Sequence, residues 1–136
     1  MSRRTQTQTP FAAILQRAID RIPGAIGGTL AAGDGETVDF HLVPGAGGEA
    51  RLDETEWHIL TAHHGVLLGH IRSALRTFHV GGPMTFVVSH RGMHVLLCVL
   101  DEDYFALLAV DGEVPVAPAM YHLGCAVDDL RREMHA

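Results

Sequence analysis

Residues 53–79 read DETEWHILTAHHGVLLGHIRSALRTFH, and this stretch decides how the rest of the chain is read. Asp53 followed three residues later by Glu56 has the pattern of a capping box, so a helix starts here. Trp57, Leu60, Leu67, Ile71, Leu75 and Phe78 then recur at helical spacing and form one apolar stripe. Ile59, Ala62, Val66 and Leu68 add carbon on neighbouring faces. Between Trp57 and Ile71 there is no Asp, Glu, Lys or Arg. A helix on the outside of a lone domain carries one apolar stripe and one polar face. This helix has apolar surface to spare, which predicts cover from two directions: the protein's own sheet on one side and a second chain on another.

His64 stands inside the stripe, between Leu60 and Leu67. It reads either as a hydrogen-bonded core histidine or as a seam histidine that makes association pH-sensitive. In the second case, charging it in an apolar contact is unfavourable without an anion nearby.

Working outward, Thr9-Pro10 has the form of an N-cap followed by proline at the first helical position. Phe11, Ile14, Leu15, Ala18, Ile19 and Ile22 continue as an amphipathic helix that Pro23-Gly24 ends. Ala25–Ala32 and 37–43 flank Asp34-Gly35, a hairpin signal. Residues 44–49, PGAGGE, read as a loop. Gly81-Gly82-Pro83 closes the long helix. Three strands follow: 84–89, then 95–100 (VLLCVL, apolar throughout and so covered on both faces), then 104–110. Their links at Arg91-Gly92 and Asp101-Glu102-Asp103 are too short for crossovers, so the three form an antiparallel meander. From about Pro118, the residues Met120, Leu123, Val127, Leu130 and Met134 give a closing helix. The class is α+β in the order α-β-β-α-β-β-β-α.

This order, with these residues, resembles the Roadblock / dynein light-chain family over Phe11 to Met134. The pieces that carry the likeness are the first helix running into Ile22-Pro23-Gly24, the Asp34-Gly35 hairpin, the long helix, the Tyr104-Phe105-Ala106-Leu107-Leu108 strand and the closing helix. LDEDYFALLAVDGE resembles the bacterial branch, which includes regulators of the gliding-motility Ras-like GTPase. Bacterial members commonly have a glycine and a basic residue where this chain has Val116-Ala117-Pro118-Ala119-Met120-Tyr121. The resemblance implies a five-stranded antiparallel sheet in the order 2-1-5-4-3, with the first and last helices on one face and the long helix on the other. It also implies a homodimer joined through the long helix and the third strand, and a Ras-like small GTPase as partner. The candidate interface residues are then Trp57, Leu60, His64, Leu67, Leu68, Ile71, Arg72, Leu75, Met84, Phe86 and Val88.

Length and composition fit this reading. The chain has 136 residues, 47% hydrophobic and 19% charged, enough for one cored domain. Residues 1–9 read as a flexible polar tail and 10–136 as a single Roadblock-like domain. MSRRTQTQTP has no apolar region behind its arginines, so it does not read as a signal peptide, and the expected compartment is the cytoplasm. Cys98 and Cys125 sit in apolar surroundings outside any CxxC pair and read as free, buried thiols. A formal charge of -6 disfavours nucleic acid as a partner. No apolar run is long enough for membrane insertion.

The chain contains no lysine. That excludes a P-loop, a Schiff-base lysine and a kinase-type lysine. Ten histidines invite a metal reading. No HExxH or Cys/His zinc spacing is present, although His90 and His94 flank a turn and His63 and His70 share a helix face. Ser73 and Ser89 lack a nucleophile setting. Asp101, Glu102 and Asp103 read as a solvated turn. The glycine pairs at 27–28, 47–48 and 81–82 do not form a phosphate-binding fingerprint. Arg72 and Arg76 serve either the helix dipole or the rim of an interface. No catalytic, cofactor-binding or metal-ligating residue is nominated. The chain reads as a non-catalytic adaptor or regulator, with GTPase activation or scaffolding as its role. The alternative is a small ligand- or metal-sensing domain of longin-, profilin- or PAS-like topology, which would keep a pocket under one face and stand as a monomer.

Overall fold

In the computed structural model, residues 8–46, 52–80 and 84–136 are described. The tail, Gly47-Gly48 and Gly81-Gly82-Pro83 lie outside those residues, apart from Gln8 and Thr9 of the tail. The elements are α1 (Pro10–Asp20), β1 (Ala25–Ala32), β2 (Thr37–Leu42), α2 (Glu54–Leu75), β3 (Thr85–Ser89), β4 (Met93–Val99), β5 (Tyr104–Asp111) and α3 (Val116–Met134).

Both anticipated helix starts are present. The Thr9 hydroxyl accepts from the Ala12 N–H at 3.0 Å, and Asp53 and Glu56 exchange the two bonds of a capping box. These bonds satisfy amide hydrogens that the helix itself leaves free. Several boundaries differ from the sequence reading, most by one or two residues, and three have a plain physical reason. α2 stops at Leu75 rather than running on to His79. There the chain tightens into bonds three residues back, from the Arg76 N–H to the Ser73 carbonyl and from the Phe78 N–H to the Leu75 carbonyl. β4 begins at Met93 because its pairing with β5 reaches back to Met93 opposite Asp111. α3 begins at Val116, two residues before Pro118, because a proline in the first turn gives up an N–H that has no helical partner anyway.

The sheet has five antiparallel strands in the order β2-β1-β5-β4-β3, as the resemblance implies. Alternation sorts the side chains of its central strands to two faces. Leu96, Cys98, Ala106, Leu108 and Val110 meet α1 and α3. Val95, Leu97, Phe105, Leu107 and Ala109 share a core with Trp57 and Leu68 of α2. β4 and β5 are therefore covered on both sides, as the apolar run 95–100 predicts. Arg131 of α3 donates from Nε to the Leu100 carbonyl at 2.9 Å and from an Nη to the Val99 carbonyl at 3.0 Å, tying the last helix to the end of β4.

α2 is held on its face of the sheet at two points. Trp57 is fully buried, and its indole Nε1 donates to the Thr29 hydroxyl on β1 at 2.6 Å. Further along the helix, Gly65 meets the β1–β2 turn. A Cβ at 65 would lie 2.6 Å from the Gly35 Cα, so only hydrogen fits between the two backbones. Gly35 itself has φ +90°, a turn conformation that suits glycine.

Candidate functional site

The two anchors set which way every other side chain of α2 points. Trp57, Thr61, His64, Gly65 and Leu68 form the buried arc. Two of the proposed contact positions, Trp57 from the stripe and Leu68 from the neighbouring face, are buried in the sheet-facing core of the lone chain. The arc centres on Thr61 and Gly65, and at Gly65 the absent side chain allows close approach of the β1–β2 turn. Leu60, Ile71 and Leu75 fall on the flank and are half-buried. Leu67 is 37% exposed, Ile59 52% and Val66 56%. Phe78 lies beyond the helix and is also exposed.

β3 continues this outer surface. It is an edge strand, paired only with β4. Phe86 and Val88 turn toward the α2 side and pack half-buried on that core. Met84, just ahead of the strand, is 62% exposed. The N-terminal half of α2 lies beside His90, Gly92 and Met93, and its C-terminal part beside Met84, Val99 and Leu100. The helix thus runs antiparallel to β3, with one open hollow near each end.

The hollow near the C-terminal end is about 790 Å3 and includes Arg72, Leu75, Met84 and the β4–β5 turn. Arg72 is committed to that turn, donating to the carbonyls of Asp101 and Glu102 at 3.3 Å each. This is a tie within the chain. Arg76 caps the helix end and is exposed.

The hollow near the N-terminal end is about 480 Å3, lined by Glu56, Ile59, Leu60, His63, His64, His90, Gly92 and Met93. His64 is buried, with Nδ1 2.8 Å from the Leu60 carbonyl oxygen and Nε2 3.2 Å from Nε2 of His90. Burial pushes its pKa down; the bond to Leu60 opposes that, and His90 and His63 add to the lowering. Both ring nitrogens are engaged inside the chain, which fits the core-histidine reading. The pairing with His90 had no sequence signal, because it depends on the register of the β3–β4 hairpin.

The remaining candidates have local structural uses. His90 and His94 do not meet: His94 bonds Ser89 Oγ at 2.8 Å and the Gly112 carbonyl at 3.1 Å. His63 and His70 are exposed. Asp101 accepts from the N–H groups of Asp103 and Tyr104, which closes the turn. Cys98 is buried and its thiol pKa is raised by desolvation, an inert setting. Cys125 is only half-buried, against expectation, because it lies on the flank of α3 rather than on its buried side. Among the described residues no group of three or more His, Cys, Asp or Glu side chains converges as a metal site, and no helix is long and apolar enough to cross a membrane.

No protein-family model matches the chain, and no curated protein matches its sequence. Solved structures do match in three dimensions. A Roadblock/LC7 domain from Streptomyces avermitilis superposes with a TM-score of 0.77 at 18% identity, over 91% of this chain and 97% of that one. The gliding protein MglB from Thermus thermophilus gives 0.78 at 14% identity, over 93% and 92%. An MglB with a tetrameric arrangement gives 0.79 at 14% identity, over 93% and 91%. This is the Roadblock/LC7 fold. The expectation drawn from the resemblance thus holds for the fold, including strand order and the sides taken by the helices. In this Roadblock/LC7 fold the outer flank of α2 together with β3 is an open apolar surface, and the N-terminal hollow opens at its edge.

Proposed function

We propose that this chain is a non-catalytic, cytoplasmic adaptor or regulator that pairs with a second copy of itself and presents the pair to a Ras-like small GTPase. The observation that carries the reading is the outer surface of α2 and β3. Ile59, Val66, Leu67 and Met84 are open to solvent there, next to half-buried Leu60, Ile71, Phe86 and Val88. Contiguous exposed carbon of this kind marks an interaction surface. A second copy laid on it would cover both the helix flank and the free edge of β3, which edge strands otherwise leave open to unwanted pairing. The tetrameric arrangement of one MglB supports self-association as a use of this fold. The likeness to gliding regulators supports a GTPase as the third party. Of the residues that a catalytic reading would have used, Cys98 is buried in the sheet and Asp101 is tied into a turn.

The test is light-scattering mass followed by capture of purified Ras-like GTPases loaded with GDP or a non-hydrolysable GTP analogue. The expected result is a mass of two chains or an even multiple, with capture that depends on the nucleotide. A single-chain mass at high concentration would remove the pairing. Equal failure to capture in both nucleotide states would remove the GTPase. Hydrolysis rates with and without the chain then separate activation from scaffolding.

A further inference from the structure

His64 on α2 and His90 after β3 stand 26 positions apart in sequence, yet their Nε2 atoms are 3.2 Å apart. The rest of each ring fixes what those atoms carry. His64 Nδ1 faces the Leu60 carbonyl oxygen at 2.8 Å. A carbonyl only accepts, so Nδ1 holds the hydrogen, and Nε2 of the neutral ring is a bare lone pair. His90 then donates its own Nε2 hydrogen to that lone pair. Among the described residues His90 has no other side-chain hydrogen bond, so no contact holds it in that tautomer.

Two imidazole nitrogens at this distance have the spacing of neighbouring ligands on a metal ion. With metal–nitrogen bonds of about 2.0–2.1 Å, a tetrahedral ion holds two ligand nitrogens roughly 3.3–3.4 Å apart, and a square-planar ion about 2.9 Å. The observed separation lies between these values. The bond from His64 Nδ1 to a backbone carbonyl is the outer contact that ligating histidines characteristically make, fixing the tautomer and aiming Nε2.

We propose that His64 and His90 form a two-histidine site for a divalent transition metal of the Zn2+ class, which imidazole suits. Binding replaces the His90 Nε2 hydrogen with the ion, and His90 keeps one hydrogen by moving it to Nδ1. The open coordination positions face the hollow that Glu56 and His63 also line. Glu56 has one carboxylate oxygen in the capping box and one remaining. With no third group converging among the described residues, water or a donor from outside the chain completes the shell. The site is built within one chain and does not depend on the pairing proposed above.

Zn2+ titrated into the full chain tests it, read by calorimetry and by nitrogen-15 imidazole spectra. The expected result is one Zn2+ per chain, with the His64 and His90 Nε2 signals shifted and His64 Nδ1 still protonated. His90→Gln, at an exposed position, should weaken binding and abolish the His64 Nε2 shift, because it removes one of the two protein ligands. His70→Gln, on the same helix but outside the hollow, should leave it unchanged. Unaltered affinity in His90→Gln, or shifts confined to other histidines, would mean adventitious surface binding and overturn the assignment. If His90→Gln does not fold, the spectra of the unsubstituted chain decide alone.

Discussion

Trp57 and Thr29 are both fully buried, and within the protein the indole hydrogen has the Thr29 hydroxyl as its acceptor. Thr29→Val keeps the shape of the threonine and removes that acceptor. The orphaned N–H should cost about 1–3 kcal/mol of stability, read as a lower midpoint in urea with an unchanged slope. A midpoint equal to that of the unsubstituted chain would mean the bond contributes nothing. Trp57 could be assigned to an apolar stripe from periodicity alone, but Thr29 could not be named as its partner. Spacing along a helix says which residues share a face and nothing about what that face meets 28 positions away. The same holds for His64 and His90. The exception is local chemistry: the Thr9 and Asp53 caps were legible because their partners lie three residues on.

At the scale of the element, α2 was legible in its start and its surplus of carbon, and misread in its orientation. Summing apolar residues put Leu67 and Ile71 on the same stripe as Trp57. The protein instead turns Thr61 and Gly65 inward, because the β1–β2 turn comes so close that a side chain at 65 would meet backbone. Glycine inside a helix costs up to about 1 kcal/mol relative to alanine, so such a position has to be offset by close approach. Two substitutions separate the effects. Gly65→Ala should lower stability by about 1–3 kcal/mol despite the better propensity, since the turn must shift. Gly124→Ala on α3, where an added methyl meets nothing within 4 Å, should raise it by up to about 1 kcal/mol. Thermal melts of the two variants should move in opposite directions; movement in the same direction would reject the close-contact account.

For the whole molecule, local pattern gave the element order and the antiparallel meander of the last three strands, while strand order and layering came from the family likeness. The connection of β1 to β5 had no signal in local pattern. Among the described residues the flank beside β3 is an apolar surface that the lone chain leaves uncovered, and Leu67 is its most direct probe. Because Leu67 is partly open to solvent in the lone chain, Leu67→Asp should leave the fold intact. Burying a charge in an apolar contact would then disfavour pairing. The expected outcome is a single-chain mass by light scattering with a preserved circular-dichroism spectrum. A variant that keeps the parent's mass would place the contact elsewhere.

The pairing of β1 with β5, from Ala25 opposite Val110 to Ala32 opposite Tyr104, lies in the middle of the sheet and joins the two most distant parts of its sequence. On a ribosome, the first hairpin emerges long before its neighbour. For that interval β1 offers a row of unmatched amides and carbonyls, flanked by alanine, glycine and leucine, with no strand to receive them. Closure must wait for residues 104–111, and pairings so far apart in sequence form slowly. The nascent chain is thus most vulnerable to aggregation during synthesis of its own second half. Shelter of that central seam until the last strand arrives is the expected requirement for efficient folding.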